Sequence, residues 1–356
     1  MSRVIIHPAV YTDLQDAIDM VFKEFSLPWK GKSVLIKPNV LRAAKPEEAI
    51  TTHPAVLRAI VEKVETLGVK SIIVGDNPGL TSYGANEESF EATGLMAAAK
   101  GHYRNIGNES RPMAFNADFA PAVSLSQAVL DADIIISVPK FKTHGLTVLS
   151  GAIKNSYGFL PGAQKAKLHV AAGNSKRFQE MIVELFRFRI PDLFIVDAIL
   201  GMEGNGPASP DLRDIGKILA SDNAVALDAV IAVMMGCDPG QLPFLRKAKD
   251  MGLGNYDLKT IDIVGALQPI PDFKIPHFSG ESILRNENIQ VLIKRRMGQR
   301  PWVASDACIG CALCVEQCPA DALFMGDDNL PVADHEKCIA CFCCQEVCPE
   351  KAITLK

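Results

Sequence analysis

Nine of the ten cysteines lie between Cys308 and Cys348, and they repeat one pattern twice. Cys308-x2-Cys311-x2-Cys314-x3-Cys318-Pro319 is followed by Cys338-x2-Cys341-x2-Cys344-x3-Cys348-Pro349. Three thiolates at this spacing wrap three corners of an iron-sulfur cubane from a tight loop. The fourth corner must come from a distant segment, and in this run the last cysteine of each copy serves the other cluster. One 4Fe-4S cluster is therefore assigned Cys308, Cys311, Cys314 and Cys348, and the second Cys338, Cys341, Cys344 and Cys318. Zinc sites, usually built from two Cys-x2-Cys pairs, fit three evenly spaced thiols poorly. A disulfide framework would spread its cysteines over a whole small domain. The matching segments Ala320-Asp321-Ala322-Leu323 and Glu350-Lys351-Ala352-Ile353 indicate an internal duplication. Phe342 stands where such loops often carry Gly. Cys343 is an extra thiol, read as a small buried residue, with ligation or tuning of a cluster as the alternatives.

Clusters of this kind pass single electrons, usually at low potential, and seldom make or break bonds when every corner is a cysteine. Any bond chemistry then belongs to the body of the chain. Polar residues there fall at the predicted ends of apolar runs: Lys37, Asn39, Asp76, Lys140 and Asp197. Lys142, Lys154 and Asn155 add cations and a neutral donor, a set suited to a carboxylate or phosphate. His53, His144 and His169 are three of seven histidines. Each is a candidate to deliver a proton to a reduced substrate, with a helix cap as the plainer role of His53. A metal held by the three histidines with Asp76 or Asp197 is a weaker alternative, given their long spacing. Gly201 to Pro207 is a glycine-rich loop without a dinucleotide or Walker spacing. It is read as a backbone wall of the site, with Glu203 as a proton relay. Lys140, His144, Lys154 and His53 are thus the catalytic candidates. Lys37, Asn39, Asp76, Asn155, His169 and Glu203 are the substrate-binding candidates.

The elements that position them alternate. Apolar runs at Ser33–Lys37, Ser71–Asp76, Ile134–Val138, Leu193–Asp197 and Thr260–Gly265 read as strands. Helical patterns begin at His53, Ser126, Phe178 and Asn223. This predicts an α/β fold: a mostly parallel sheet with helices on both faces over residues 1–265, whose ligand site lies beyond the carboxyl ends of the strands. Residues 266–300, with three prolines and the basic Lys294-Arg295-Arg296, read as an irregular connection. Residues 301–356 form the small α+β module that holds the clusters.

The body also carries Val34–Asn39, Thr51–Pro54, Val74–Asp76, Pro139–Thr147, Ser150–Asn155, Gly158, His169 and Gly201–Pro207 in order. With these segments the chain resembles the domain of unknown function 362 family, in the version fused to a C-terminal bacterial-type ferredoxin module. The resemblance implies an anaerobic-type iron-sulfur redox protein and names no substrate.

Composition agrees with an ordinary globular protein, at 48% apolar and 22% charged residues. The net charge of −4 is concentrated at the end of the chain, where residues 300–356 carry four basic and nine acidic groups. No nucleic-acid footprint appears. No apolar run approaches the roughly 20 residues of a membrane helix, and the N-terminus lacks the apolar stretch of a signal peptide. The expected location is the cytoplasm, without a membrane partner. Two functions fit. The first is a reductase relaying electrons from an external low-potential donor to a small, anionic, unsaturated substrate. The second is a carrier or assembly factor that docks on a redox partner. A flavin is compatible with the body, though no fingerprint indicates one.

Overall fold

The computed structural model describes residues 1–79, 85–162, 164–276 and 300–355. The strands, in chain order, begin with β1 (Ser2–Pro8), β2 (Ser33–Pro38) and β3 (Ser71–Val74). A separate ribbon follows, β4 (Ser110–Ala114) with β5 (Ala122–Ser126). Then come β6 (Ile134–Val138), β7 (Lys140–His144), β8 (Val148–Leu149), β9 (Leu193–Met202), β10 (Leu212–Ser221) and β11 (Ile261–Val264).

One large sheet runs β11-β1-β10-β9-β6-β2-β3, with β7 beside β9 and β8 beside β7. Along this path only β10 opposes its neighbours. The fold is therefore a mostly parallel sheet covered on both faces. Alternation along the strands feeds two cores. Leu35, Ile135 and Val196 point to the face packed by the helices Ala152–Asn155, Ser175–Phe186 and Ala224–Met234. Val34, Ile36 and Ile195 point to the face packed by Gln15–Glu24 and Pro54–Glu65. The helix Pro54–Glu65 shows why such segments fold as they do. His53 caps it, Pro54 occupies the first turn, and Val56, Leu57, Ile60, Val61 and Val64 form its buried stripe.

Two expectations are corrected here. The run from Leu193 does not stop at Asp197 but continues as strand to Met202. It can do so because Lys140 of β7 lies in register with Asp197 and neutralises it. Lys140 does not close a strand at the rim but opens a second, fully buried one, β7.

The C-terminal module contains β12 (Pro301–Val303), β13 (Leu323–Met325), β14 (Pro331–Ala333) and β15 (Ile353–Leu355), with short helices Leu313–Glu316 and Cys343–Val347. β12 pairs with β15 and β13 with β14, so each ribbon joins the two halves of the duplication. Phe342 and Ala312 are equivalent, with φ 63° and 61°. That left-handed backbone is the reason the position favours Gly.

The module sits on the body. Phe342 is buried in the larger core, and its ring lies 3.0 Å from where a Cβ on Gly145 would be. Gln345 Nε2 donates to the Asn205 carbonyl (3.1 Å), Arg42 Nε to the Glu346 carbonyl (3.1 Å), and Lys351 pairs with Glu48 (3.2 Å). The described part of the connection also lies on the body, with Phe273 edge-on to Phe141 at 6.0 Å. Lys294-Arg295-Arg296 lies outside the described residues. No helix among the described residues is long and apolar enough to cross a membrane.

Candidate functional site

The carboxyl ends of β2 and β3 open toward the module helix Cys343–Val347, and a cavity of about 80 Å³ lies between them. Lys37, Asn39, Asp76, Lys154, Asn155 and His169 line it, so six residues singled out from the sequence meet at one place. Cys343 and Glu346 close the module side.

The floor is an ion pair with every hydrogen bond filled. Lys37 Nζ donates to Asp76 Oδ1 (2.7 Å), Asn155 Oδ1 (3.0 Å) and the Pro38 carbonyl (2.9 Å). Asp76 also accepts from the backbone N–H groups of Val40 and Asn77, each at 2.8 Å. Burial pushes the Lys37 amine down and the Asp76 carboxyl up, each toward neutrality. The complete set of donors and acceptors around both groups favours the ionised pair. Gly158 makes room for it, since a Cβ there would stand 2.1 Å from Asp76 Oδ1.

Lys154 differs. Its ammonium stands 5.9 Å over the Tyr157 ring and donates to no carboxylate or carbonyl among the described residues. His169 stacks on Phe178 at 4.5 Å, and its Nδ1 lies 2.8 Å from the Lys165 carbonyl and 3.2 Å from the Tyr157 hydroxyl. Lys165 Nζ donates to the carbonyls of Asn77 and Pro78, both at 2.6 Å, and burial first of all holds its amine down to about 8.

The remaining candidates lie elsewhere. Lys140 Nζ is fully buried between Asp197 Oδ2 (2.8 Å) and the Tyr11 hydroxyl (3.0 Å), and it does not line the cavity. His53 caps its helix by accepting from Ala55 N–H (3.2 Å) and stacks on Tyr11 at 3.6 Å. Neither can reach a ligand in the cavity. Glu203 takes both oxygens to Arg213 at 3.0 Å each and accepts from Lys274 N–H, so it is a structural anchor of its loop and not a relay. That loop touches the module through Asn205 and forms no wall of the cavity.

His144 is intermediate. Its Nδ1 accepts from Leu146 N–H (3.0 Å), and Nε2 lies 3.2 Å from Glu346 Oε1, out of line for a good hydrogen bond. Burial, then the charge of Lys154, hold its imidazole down to about 3, so it is neutral at ordinary pH. Burial alone would raise the Glu346 carboxyl, but the adjoining His144 ring first, and then the charge of Lys154, hold it at about 2. The three histidines thus have separate partners, and among the described residues no three His, Cys, Asp or Glu side chains converge on a single ion.

Each half of the duplication contributes to two hollows in the module. Cys308, Cys311, Cys314 and Cys348 line one, and Cys318, Cys338, Cys341 and Cys344 line the other. Backbone N–H groups point at sulfur in equivalent places, Ala322 to Cys318 and Ala352 to Cys348 at 3.2 Å, with Gly310 to Cys308 (3.5 Å) and Ala340 to Cys338 (3.4 Å). Donors so placed favour thiolate over thiol and tune a bound cluster. Each hollow is lined by four cysteines, the donor set that one 4Fe-4S cluster takes. Cys343 hydrogen-bonds to Cys341 and so lowers that thiol. It stands between the second hollow and the cavity.

Sequence reasoning passed over Tyr157, Lys165 and Glu346. Lys165 stands one helical turn before His169, a spacing that brings both to one face. Glu346 lay hidden among the cysteine ligands and becomes visible only once the module is docked.

These features define an α/β body joined to a dicluster iron-sulfur domain. The family described as Domain of unknown function (DUF362) matches residues 34–233, more than half of the chain, and the protein belongs to that family. A 4Fe-4S dicluster domain matches residues 300–349. The chain is 34% identical over 224 residues to the Thylakoid-associated protein sll1697 of Synechocystis sp., covering 63% of this chain and 69% of that one. A Thermotoga maritima protein solved by the Northeast Structural Genomics Consortium aligns with TM-score 0.33 and 14% identity, over 55% of this chain and 52% of that one.

Proposed function

We propose that this protein is an iron-sulfur oxidoreductase that passes single electrons to a small anionic, unsaturated molecule held in the cavity between body and module. One observation carries the reading: the same cavity is lined by Lys154 and His169 of the body and by Cys343 and Glu346 of the module, beside Cys344. Two 4Fe-4S clusters, held by the two sets of four cysteines, would supply one-electron transfer when bound. The residues do the rest. Lys154 binds the anionic group by a charge-assisted hydrogen bond. The filled Lys37–Asp76–Asn155 network keeps the floor rigid. The His169 imidazole, held down by burial, lines the same cavity and would exchange a proton with a reduced ligand.

An external low-potential donor would meet the opposite side of the module. Cys311 is exposed there, and neighbouring Ile309 is 64% exposed. The cytoplasm is the proposed location, because nine clustered cysteines with free or metal-bound sulfur need a reducing compartment. Fractionation tests this, since the cyanobacterial relative is named for a thylakoid association.

The function is tested with anaerobically purified, dithionite-reduced protein exposed to acrylate, crotonate and fumarate, following cluster absorbance. At least one should reoxidise the clusters, and Lys154→Ala should slow that step about 10- to 100-fold, the worth of one charged hydrogen bond. Reoxidation of the variant at the unaltered rate, with iron content intact, rejects the reading. Acid release and mass spectrometry of the same sample would reveal a flavin.

A further inference from the structure

The cavity holds one unspent cation and several unspent acceptors. Lys154 and Glu346 both line it; burial pushes the Lys154 amine down and Glu346 supports its charge, yet no ion pair among the described residues joins them. Asn39 Nδ2 donates to Asn155 Oδ1 (3.2 Å), and Asn39 Oδ1 is left buried without a partner. Turning this amide over would set two carbonyl oxygens against each other, because Asn155 Oδ1 already accepts from Lys37. The orientation is therefore imposed by the network.

His169 follows the same logic. Its Nδ1 faces the Lys165 carbonyl, which can only accept, so the ring proton resides on Nδ1. Nε2 presents a lone pair and is buried with no partner. Glu346 adds a carboxylate to the same lining, with its Oε1 3.2 Å from His144 Nε2–H and its other oxygen free of a side-chain donor among the described residues. Buried acceptors normally find donors, so Asn39 Oδ1 and His169 Nε2 beside a carboxylate call for a donor-rich ligand. A plain carboxylate or phosphate would satisfy Lys154 and leave the acceptors empty. An ammonium group carries three donors and no acceptor.

We propose that the cavity binds a small zwitterion, a free amino acid, with its carboxylate on Lys154 and its ammonium on the acceptors Glu346, Asn39 and His169. The proposal rests on the cavity being the substrate site and narrows the unsaturated carboxylate of that reading to one that also carries an ammonium, with saturated L-alanine as its binding probe. Size agrees: about 80 Å³ is room for roughly two or three waters at ~30 Å³ each, close to the bulk of a molecule such as alanine. Lys165 has one N–H left after its two carbonyls and supplies a second donor for the carboxylate.

The test is calorimetric titration of the full-length, cluster-loaded protein under anaerobic conditions with L-alanine, propionate and ethylammonium. Alanine should bind at least about tenfold more tightly than either one-ended probe. Glu346→Gln should bring the alanine-to-propionate ratio toward one, and Lys154→Met should do the same for alanine against ethylammonium. Iron content serves as the control for each variant. Should Glu346→Gln lose its iron, Asn39→Leu replaces it with the same expectation. Propionate binding as tightly as alanine overturns the zwitterion. If that binding still depends on Lys154, the anion site of the proposed function survives. Absence of binding by all three probes also overturns the zwitterion, and the reductase reading then rests on the reoxidation assay alone.

Discussion

Among the described residues four lysines are buried, Lys37, Lys140, Lys142 and Lys165, and their partners separate structure from chemistry. Lys140 is matched by a carboxylate, whereas Lys142 has the Ile50 carbonyl at 2.6 Å and is held down to about 7, by burial first and then by Lys154. Replacing one partner of a buried pair strands the other charge. Lys140→Met should therefore cost about 3–5 kcal/mol in denaturant titration. Lys154→Ala, which breaks no ion pair, should cost less than about 1 kcal/mol. The reverse order would mean that Lys154 is structural and Lys140 is not.

Asp228 offers a pH test of the same kind. It accepts from the N–H groups of Ala152 (2.6 Å) and Ile153 (3.0 Å), yet burial pushes its carboxyl up to about 7. The folded state then holds a proton that the unfolded chain releases near pH 3.9. Stability from this group is present at low pH and declines as pH rises from about 4 toward 7, and is flat beyond. Asp228→Asn should flatten that decline when melting is compared across the range. An unchanged slope would count against the perturbed carboxyl.

At the level of elements, the cavity exists because two loops present backbone and ring to each other. Gly145 follows β7, and Phe342 opens the module helix Cys343–Val347, with the ring 3.0 Å from a Cβ at Gly145. A Gly145→Val substitution would push the ring out and move Cys343 and Glu346 away from Lys154. The cluster cysteines belong entirely to the module, so iron content should be kept while binding at the cavity falls at least about tenfold. Phe342→Ala should do the same and cost about 3–5 kcal/mol as a core truncation. Tight binding in both variants would show that the body alone forms the site.

For the whole molecule, charge is unevenly divided. Residues 300–356 carry four basic and nine acidic groups, whereas the rest of the chain is nearly neutral. An acidic module attracts cationic donors and repels anionic ones, through a field that salt screens over about 10 Å at 0.1 M. Reduction of the clusters by the methyl viologen radical cation should slow as ionic strength rises from 0.01 to 0.15 M, measured by stopped flow. Reduction by anionic dithionite should show the opposite trend. Rates indifferent to salt would mean that the charge lies away from the electron-transfer surface.

The grouping of eight cysteines into two hollows was legible because a cubane takes three thiolates at short, fixed spacings from one segment and a fourth from the other copy. The sheet was legible where strands are continuous apolar runs, as at Ile134–Val138. It was less so for β10, where Arg213, Asp214 and Lys217 interrupt the pattern and only its neighbours β1 and β9 hold it in place. Lys37, Asn39 and Asp76 could be read as rim residues from the chain alone. The separation of Lys140 from Lys154 could not, since both are lysines in polar motifs until register sets Lys140 against Asp197. Glu346 and Cys343 were the least legible. Their role as a wall of the cavity depends on the module packing against a body that lies more than a hundred residues away in sequence. Local spacing determines which atoms can hold a cluster, but long-range packing decides which charges remain unpaired and open to a ligand.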